Sequence, residues 1–150
     1  MSTIPRTPLL LGLAGLLPFL WGAVTVLAPN VGDPIALRIG PDFVGLPVLA
    51  GYGKVILAFM SGVIWGFAAH ADDQRAPLAY VLSVVPALWA FFLVPGAAPS
   101  APVFLIAGFI GLLGIDWLFW NHELAPRWWM RLRLLLTAVV IACLAVGLLA

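Results

Sequence analysis

The sequence predicts an all-α integral membrane bundle of five transmembrane helices, a single domain over residues 1–150, and three observations carry that reading. The chain is 64% hydrophobic and only 9% charged, with mean hydropathy +1.15, whereas soluble domains are about a quarter charged. Its apolar residues gather in five runs, each near the ~20 residues that cross a ~30 Å hydrocarbon core as a helix. The runs also lack period-two alternation, and five strands could not close a barrel. The net charge of +1 leaves no basic footprint for nucleic acid. The lone cysteine, Cys143, excludes an intrachain disulfide.

The first run, residues 8–28, follows Arg6 and reads PLLLGLAGLLPFLWGAVTVLA. Val26-Leu27-Ala28 faintly resembles a cleavage site. The apolar run, however, exceeds the roughly 7–15 residues of a signal core, and Pro29 would follow the cut. An uncleaved span is expected, kinked at Pro18. The connection that follows, PNVGDPIALRIGPDFVGLP, carries four prolines and three glycines, which argues against a long helix. It is expected to cap the bundle or to dip partly into it.

The second run, residues 48–70, places Lys54, Ala58, Gly62, Gly66 and His70 four apart. Small residues at that spacing let helix backbones approach closely, which matters where lipid supplies no hydrophobic drive between helices. Ala58, Gly62 and Gly66 are therefore expected to pack against the first or fourth span, or else to form a homodimer seam. The third run, residues 77–95, contains Pro86, where a kink is expected. In the fourth, residues 102–121, Ala107, Gly108, Gly111 and Gly114 offer a complementary small-residue face, so spans two and four should touch. The fifth run covers residues 132–150.

Orientation follows from the basic residues. Arg6, Arg75, Arg127, Arg131 and Arg133 fall on one side of the predicted topology, Arg38 and Lys54 on the other. The positive-inside rule then puts the N-terminus in the cytoplasm and the C-terminus outside. Lys54 is expected to reach the outer headgroups, or Asp42 or Asp33.

Asp116 is the most informative residue. It lies about five residues, roughly 8 Å, inside the cytoplasmic end of the fourth span. An acid at the bilayer centre costs up to ~2.5–3.5 kcal/mol on insertion scales, so it should face the bundle and be paired. Two roles are open. A clasp with Arg133 or Arg131 would tie spans four and five together. A proton or ligand site would join Asp116 to His70. The segment WLFWNHELAPRWWMRLR brings Trp117, Trp120, Trp128 and Trp129 together with Arg127, the composition of an interfacial anchor, with a lipid-headgroup or porphyrin pocket as the sharper alternative. His70, Asp72, Asp73, His122 and Glu123 share that side of the membrane but show no metal-ligand spacing, so neither metal nor cofactor is expected.

The stretches LGLAGLLPF, GYGKVILAFMSGVIWG, VPALWAF and LAPRWWMRLRLLLTAVV together resemble the membrane family called domain of unknown function 3429, which includes relatives of mitochondrial transmembrane protein 69. The resemblance runs from about Leu11 to Cys143, and its most specific part precedes the fifth span. It implies a multi-span bundle and brings no catalytic residues.

No HExxH, GxSxG or glycine-rich nucleotide loop occurs. The sequence therefore points to a non-enzymatic accessory, assembly or scaffold protein. The alternative is a carrier or sensor of a small hydrophobic ligand or proton near Asp116 and His70. Its expected partners are the lipid bilayer and other membrane proteins or a second copy through Gly62 and Gly66. The expected location is the bacterial inner membrane, or the mitochondrial inner membrane in a eukaryote.

Overall fold

The computed structural model describes residues 3–150; Met1 and Ser2 lie outside the described residues. Among the described residues the fold is all-helical, with no strand. The helices are α1 (Arg6–Ala14), α2 (Leu17–Leu27), α3 (Pro29–Ile39), α4 (Gly45–Ala68), α5 (Ala76–Phe92), α6 (Ala101–Asn121) and α7 (Trp129–Gly147), with a 3-10 turn at Pro41–Phe43.

Among the described residues, four segments are long and apolar enough to cross a membrane: α1 and α2 taken together, Arg6–Leu27, then α4, α6 and α7. The third predicted span is shorter than expected. As α5 it has 17 residues and ends at Phe92. Pro95 explains the early stop, because a proline disfavours helical geometry at the residue before it and cannot donate a backbone bond.

The first span breaks between Ala14 and Leu17, directly ahead of Pro18. Pro18 has no N–H to offer the carbonyl one turn earlier, and the apolar surroundings supply no water in its place. A neighbour helps: the Tyr52 hydroxyl of α4 donates to the Gly15 carbonyl at 3.0 Å. Pro86 shows the same logic in α5. There the Ala87 N–H, next to the proline, donates to Ser61 Oγ of α4 at 2.8 Å. Beside each proline, then, a polar side chain of α4 bonds the neighbouring backbone.

The connection between the first and second spans departs from expectation, because it contains the three-turn helix α3. Pro29 sits at its first position, where no N–H is needed, and Pro34 lies on an exposed face. Gly40, at φ +120°, ends it. The hydroxyl of Thr25 in α2 accepts the Gly45 N–H at 2.7 Å, tying the start of α4 to the end of α2. Trp21 Nε1 donates to the Phe43 carbonyl at 2.8 Å, and α3 packs back on α2 with Gly32 against Thr25.

Packing makes a ring of α2, α4, α6 and α7, with α5 lying outside it against α4 and α6. Leu49, Leu57, Ile64, Leu105, Leu112 and Leu144 are wholly buried in the ring. Phe19 meets Phe109 and Tyr52 edge-on, at centroid separations of 6.1 and 5.0 Å. Spans two and four do touch, and of the small residues expected at that contact Gly108 is there while Ala58, Gly62, Gly66, Gly111 and Gly114 are not. Leu57 of α4 and Trp89 of α5 close over Gly108, where an added Cβ would lie 3.0 and 2.9 Å from them, and Leu105 of α6 fills the space over Gly53.

Ala58, Gly62 and Gly66 are exposed, as are Gly111 and Gly114, and a Cβ at any of these four glycines would meet nothing within 4 Å. The internal packing expected of that stripe is therefore a correction. Its phase explains the error: Ala58 follows Leu57 by one residue, a rotation of about 100° around the helix, so the stripe faces outward when Leu57 faces in.

Candidate functional site

Asp116 and Arg133 meet in the interior. Asp116 is 0% exposed and Arg133 5%, and Arg133 Nε lies 2.6 Å from Asp116 Oδ2. The second carboxylate oxygen is also served, since Trp129 Nε1 donates to Oδ1 at 2.8 Å. Both donors come from α7, where residues 129 and 133 are one turn apart on one face. The Trp129 ring packs edge-on against Phe67 of α4, with centroids 5.0 Å apart. Two helices therefore meet at the carboxylate, and a third packs on the tryptophan that donates to it. Breaking such a buried pair by removing one partner costs about 3–5 kcal/mol, because the other charge is left stranded.

The cluster is not complete in itself. Arg133 Nη2 and the Thr137 hydroxyl are buried without a hydrogen-bond partner. Thr137 is 2% exposed and lies one further turn along α7, so residues 129, 133 and 137 form a polar stripe down the inward face of that helix. A buried donor left unpaired costs about 1–3 kcal/mol, and in hydrocarbon no water relieves it.

Arg133 and Thr137 both line a half-enclosed cleft of about 320 Å³. Its walls come from α1 and Gly15–Leu16, from Phe19 of α2, from Ile56 to Val63 of α4 and from Phe109 of α6. Apart from the α7 stripe these walls are apolar. Leu11 and Phe59, both strongly exposed, stand at its rim, so the cleft opens on the apolar outer surface between α1 and α4. Gly12 makes the close approach of α1 to α7 possible: an added Cβ would lie 2.9 Å from Leu136.

The remaining residues singled out in the sequence lie elsewhere. His70 is exposed, with Nδ1 3.1 Å from the Gly66 carbonyl, outside the Asp116 cluster. Arg131 is exposed and lines a separate, wider hollow of about 930 Å³ with Trp120, Glu123 and Arg127. Trp120 Nε1 donates to the Arg127 carbonyl at 3.1 Å, Trp117 is half exposed, and Trp128 stacks edge-on with Trp129. Lys54 is half-buried near the start of α4. Asp72 pairs with Arg75 at 3.5 Å on the exposed α4–α5 turn. Among the described residues, no three or more His, Cys, Asp or Glu side chains gather as a metal-binding group.

Two participants were missed in the sequence. Trp129 reads there as an interfacial anchor, yet it donates to the buried acid. Thr137 looks like any threonine in an apolar run. The four-residue spacing of Trp129, Arg133 and Thr137 was the available signal.

A family model described as Protein of unknown function (DUF3429) matches residues 4–149. Among curated proteins, the chain is similar to Transmembrane protein 69 of Xenopus tropicalis, 32% identical over 152 residues, covering 94% of this chain and 53% of the relative. It is likewise similar to Transmembrane protein 69 of Mus musculus, 31% identical over 143 residues, covering 90% of this chain and 52% of the relative. The chain thus spans about half the length of the curated relatives it matches. No solved structure matches it.

Proposed function

The chain belongs to the family described as protein of unknown function DUF3429; we propose that it is a non-enzymatic integral membrane protein whose bundle holds a small lipophilic molecule, as a carrier or sensor. The single observation behind this reading is the half-enclosed cleft of about 320 Å³ lined by two residues with unpaired buried polar atoms. Ligand sites are concave, mostly apolar and furnished with a few convergent polar groups. A purely structural accessory role would be served as well by side chains that filled the same space.

The topology belongs to the same proposal. The 17 residues of α5 reach about 25 Å at 1.5 Å per residue, and with Leu93 and Val94 they cover most of a ~30 Å core. Five crossings with Arg75, Arg127 and Arg131 on the inner side put the N-terminus in the cytoplasm or matrix and the C-terminus outside. The membrane is then a bacterial inner membrane or a mitochondrial inner membrane. The cleft opens into the half of the bilayer nearer the α4–α5 and α6–α7 turns.

Photolabelling tests the ligand reading. A lipophilic diazirine probe added to the protein in vesicles should label α1, α4 and α7 at cleft residues such as Gly12, Met60 and Leu136. Labelling spread evenly over outward residues such as Phe91 and Ile110, with the cleft unmarked, would sink the proposal.

A further inference from the structure

We infer that the cleft recognises a neutral carbonyl-headed molecule, one whose oxygen accepts hydrogen bonds from Arg133 Nη2 and Thr137 Oγ1 while its apolar body lies between α1 and α4. This inference rests on the ligand reading above and adds the chemistry of the head.

Charge sets the first limit. Asp116 already balances Arg133 at 2.6 Å, so the cluster is electrically neutral before anything binds. An anionic head would add an uncompensated charge to a low-dielectric interior, where its desolvation is not repaid. A cation would meet a guanidinium whose carboxylate is already occupied by two donors. Neutral heads remain.

Hydrogen bonding sets the second. The unpartnered Nη2 of Arg133 can only donate, and a hydroxyl can donate too. The two residues are one turn apart on the same helix face, roughly 5–6 Å between Cβ atoms. Both atoms are closed off in this structure, so each side chain must turn toward the cleft for the two donors to meet one carbonyl oxygen with its two lone pairs. A pure hydrocarbon would leave both atoms unpaired, which is the costly state.

Size sets the third. A dry cavity of about 150 Å³ takes one benzene, so a cleft of about 320 Å³ takes a substituted ring or a single short chain. A whole two-chain phospholipid would not fit. A quinone ring and the ester end of a single-chain lipid share the carbonyl chemistry.

The test compares probes of one length on the purified full chain: a medium-chain methyl ketone, the corresponding alkane and the corresponding ionised fatty acid. Binding is read as displacement of a lipophilic fluorescent probe, in wild type and in Thr137→Val, which keeps the shape and removes the hydroxyl. The ketone-to-alkane affinity ratio should be about fivefold higher in wild type than in Thr137→Val, the worth of one hydrogen bond. Arg133→Lys, which keeps the charge but lacks Nη2, should lower the ratio similarly. An alkyl benzoquinone and a medium-chain methyl ester run alongside; preference for either supports the assignment and names the source. If ketone and alkane displace the probe but the ratio is unchanged in Thr137→Val, the carbonyl assignment falls and the ligand reading stands. If the fatty acid binds tightest, the site takes an anion and the assignment falls. If no probe binds, both fall.

Discussion

At the residue scale, Asp116 is the buried charge around which the inner half of the bundle is arranged. Its two oxygens are held by Arg133 and Trp129; Asp116 and Arg133 are buried and Trp129 is half-buried. Asp116→Ala should therefore cost about 3–5 kcal/mol in an SDS unfolding titration, while Asp116→Leu combined with Arg133→Met should recover most of that loss. A double variant destabilised by the sum of the two single losses would show that the pair is not coupled. The depth and chemistry of Asp116 were legible in the sequence, as was the arginine at position 133. His70 was not distinguishable from a partner, because linear depth carries no information about which helix face a side chain occupies. Here His70 leans back on the Gly66 carbonyl of its own helix.

At the element scale, α4 organises the bundle by bonding the backbone beside its neighbours' prolines, Tyr52 donating to Gly15 and Ser61 accepting from Ala87. Ser61→Ala should strand the Ala87 N–H beside the Pro86 kink and cost about 1 kcal/mol, a typical worth for a side-chain bond inside a membrane bundle. The glycines divide by the same packing. Gly108→Ala would press on the Trp89 ring and Leu57, so about 1–3 kcal/mol of overpacking is expected in the same titration. Gly62→Ala meets open space and should change stability by less than about 0.5 kcal/mol. A destabilising Gly62→Ala with a neutral Gly108→Ala would reverse the assignment of the α4 face. The GxxxG spacing misled because spacing fixes a stripe but not its direction. The close-packing glycines, Gly22, Gly53 and Gly147, stand singly and have no spacing to announce them. The helix at Pro29–Ile39 was hidden for a related reason. Proline count argued against it, whereas the position of each proline within the helix decided the outcome.

At the scale of the whole molecule, composition alone settled the class, since a chain this apolar has too few polar groups to face water. The number of crossings turns on α5, which falls just short of a standard span. With five crossings, Ser100→Cys and Asp73→Cys should label from opposite sides of a sealed vesicle, in a Cys143→Ala background. Labelling from the same side would leave α5 uncrossed. The cleft could not be seen in the sequence, because it is made where α1, α4 and α7 diverge and depends on the break before Pro18. The most direct measurement of the central claim is native mass spectrometry of the protein released from its own membrane. The account predicts one small lipophilic adduct on the wild type, lost in Val63→Trp, a cleft-filling variant whose melting is unchanged. A wild-type chain that carries no adduct, or an adduct equally retained by Val63→Trp, would contradict it.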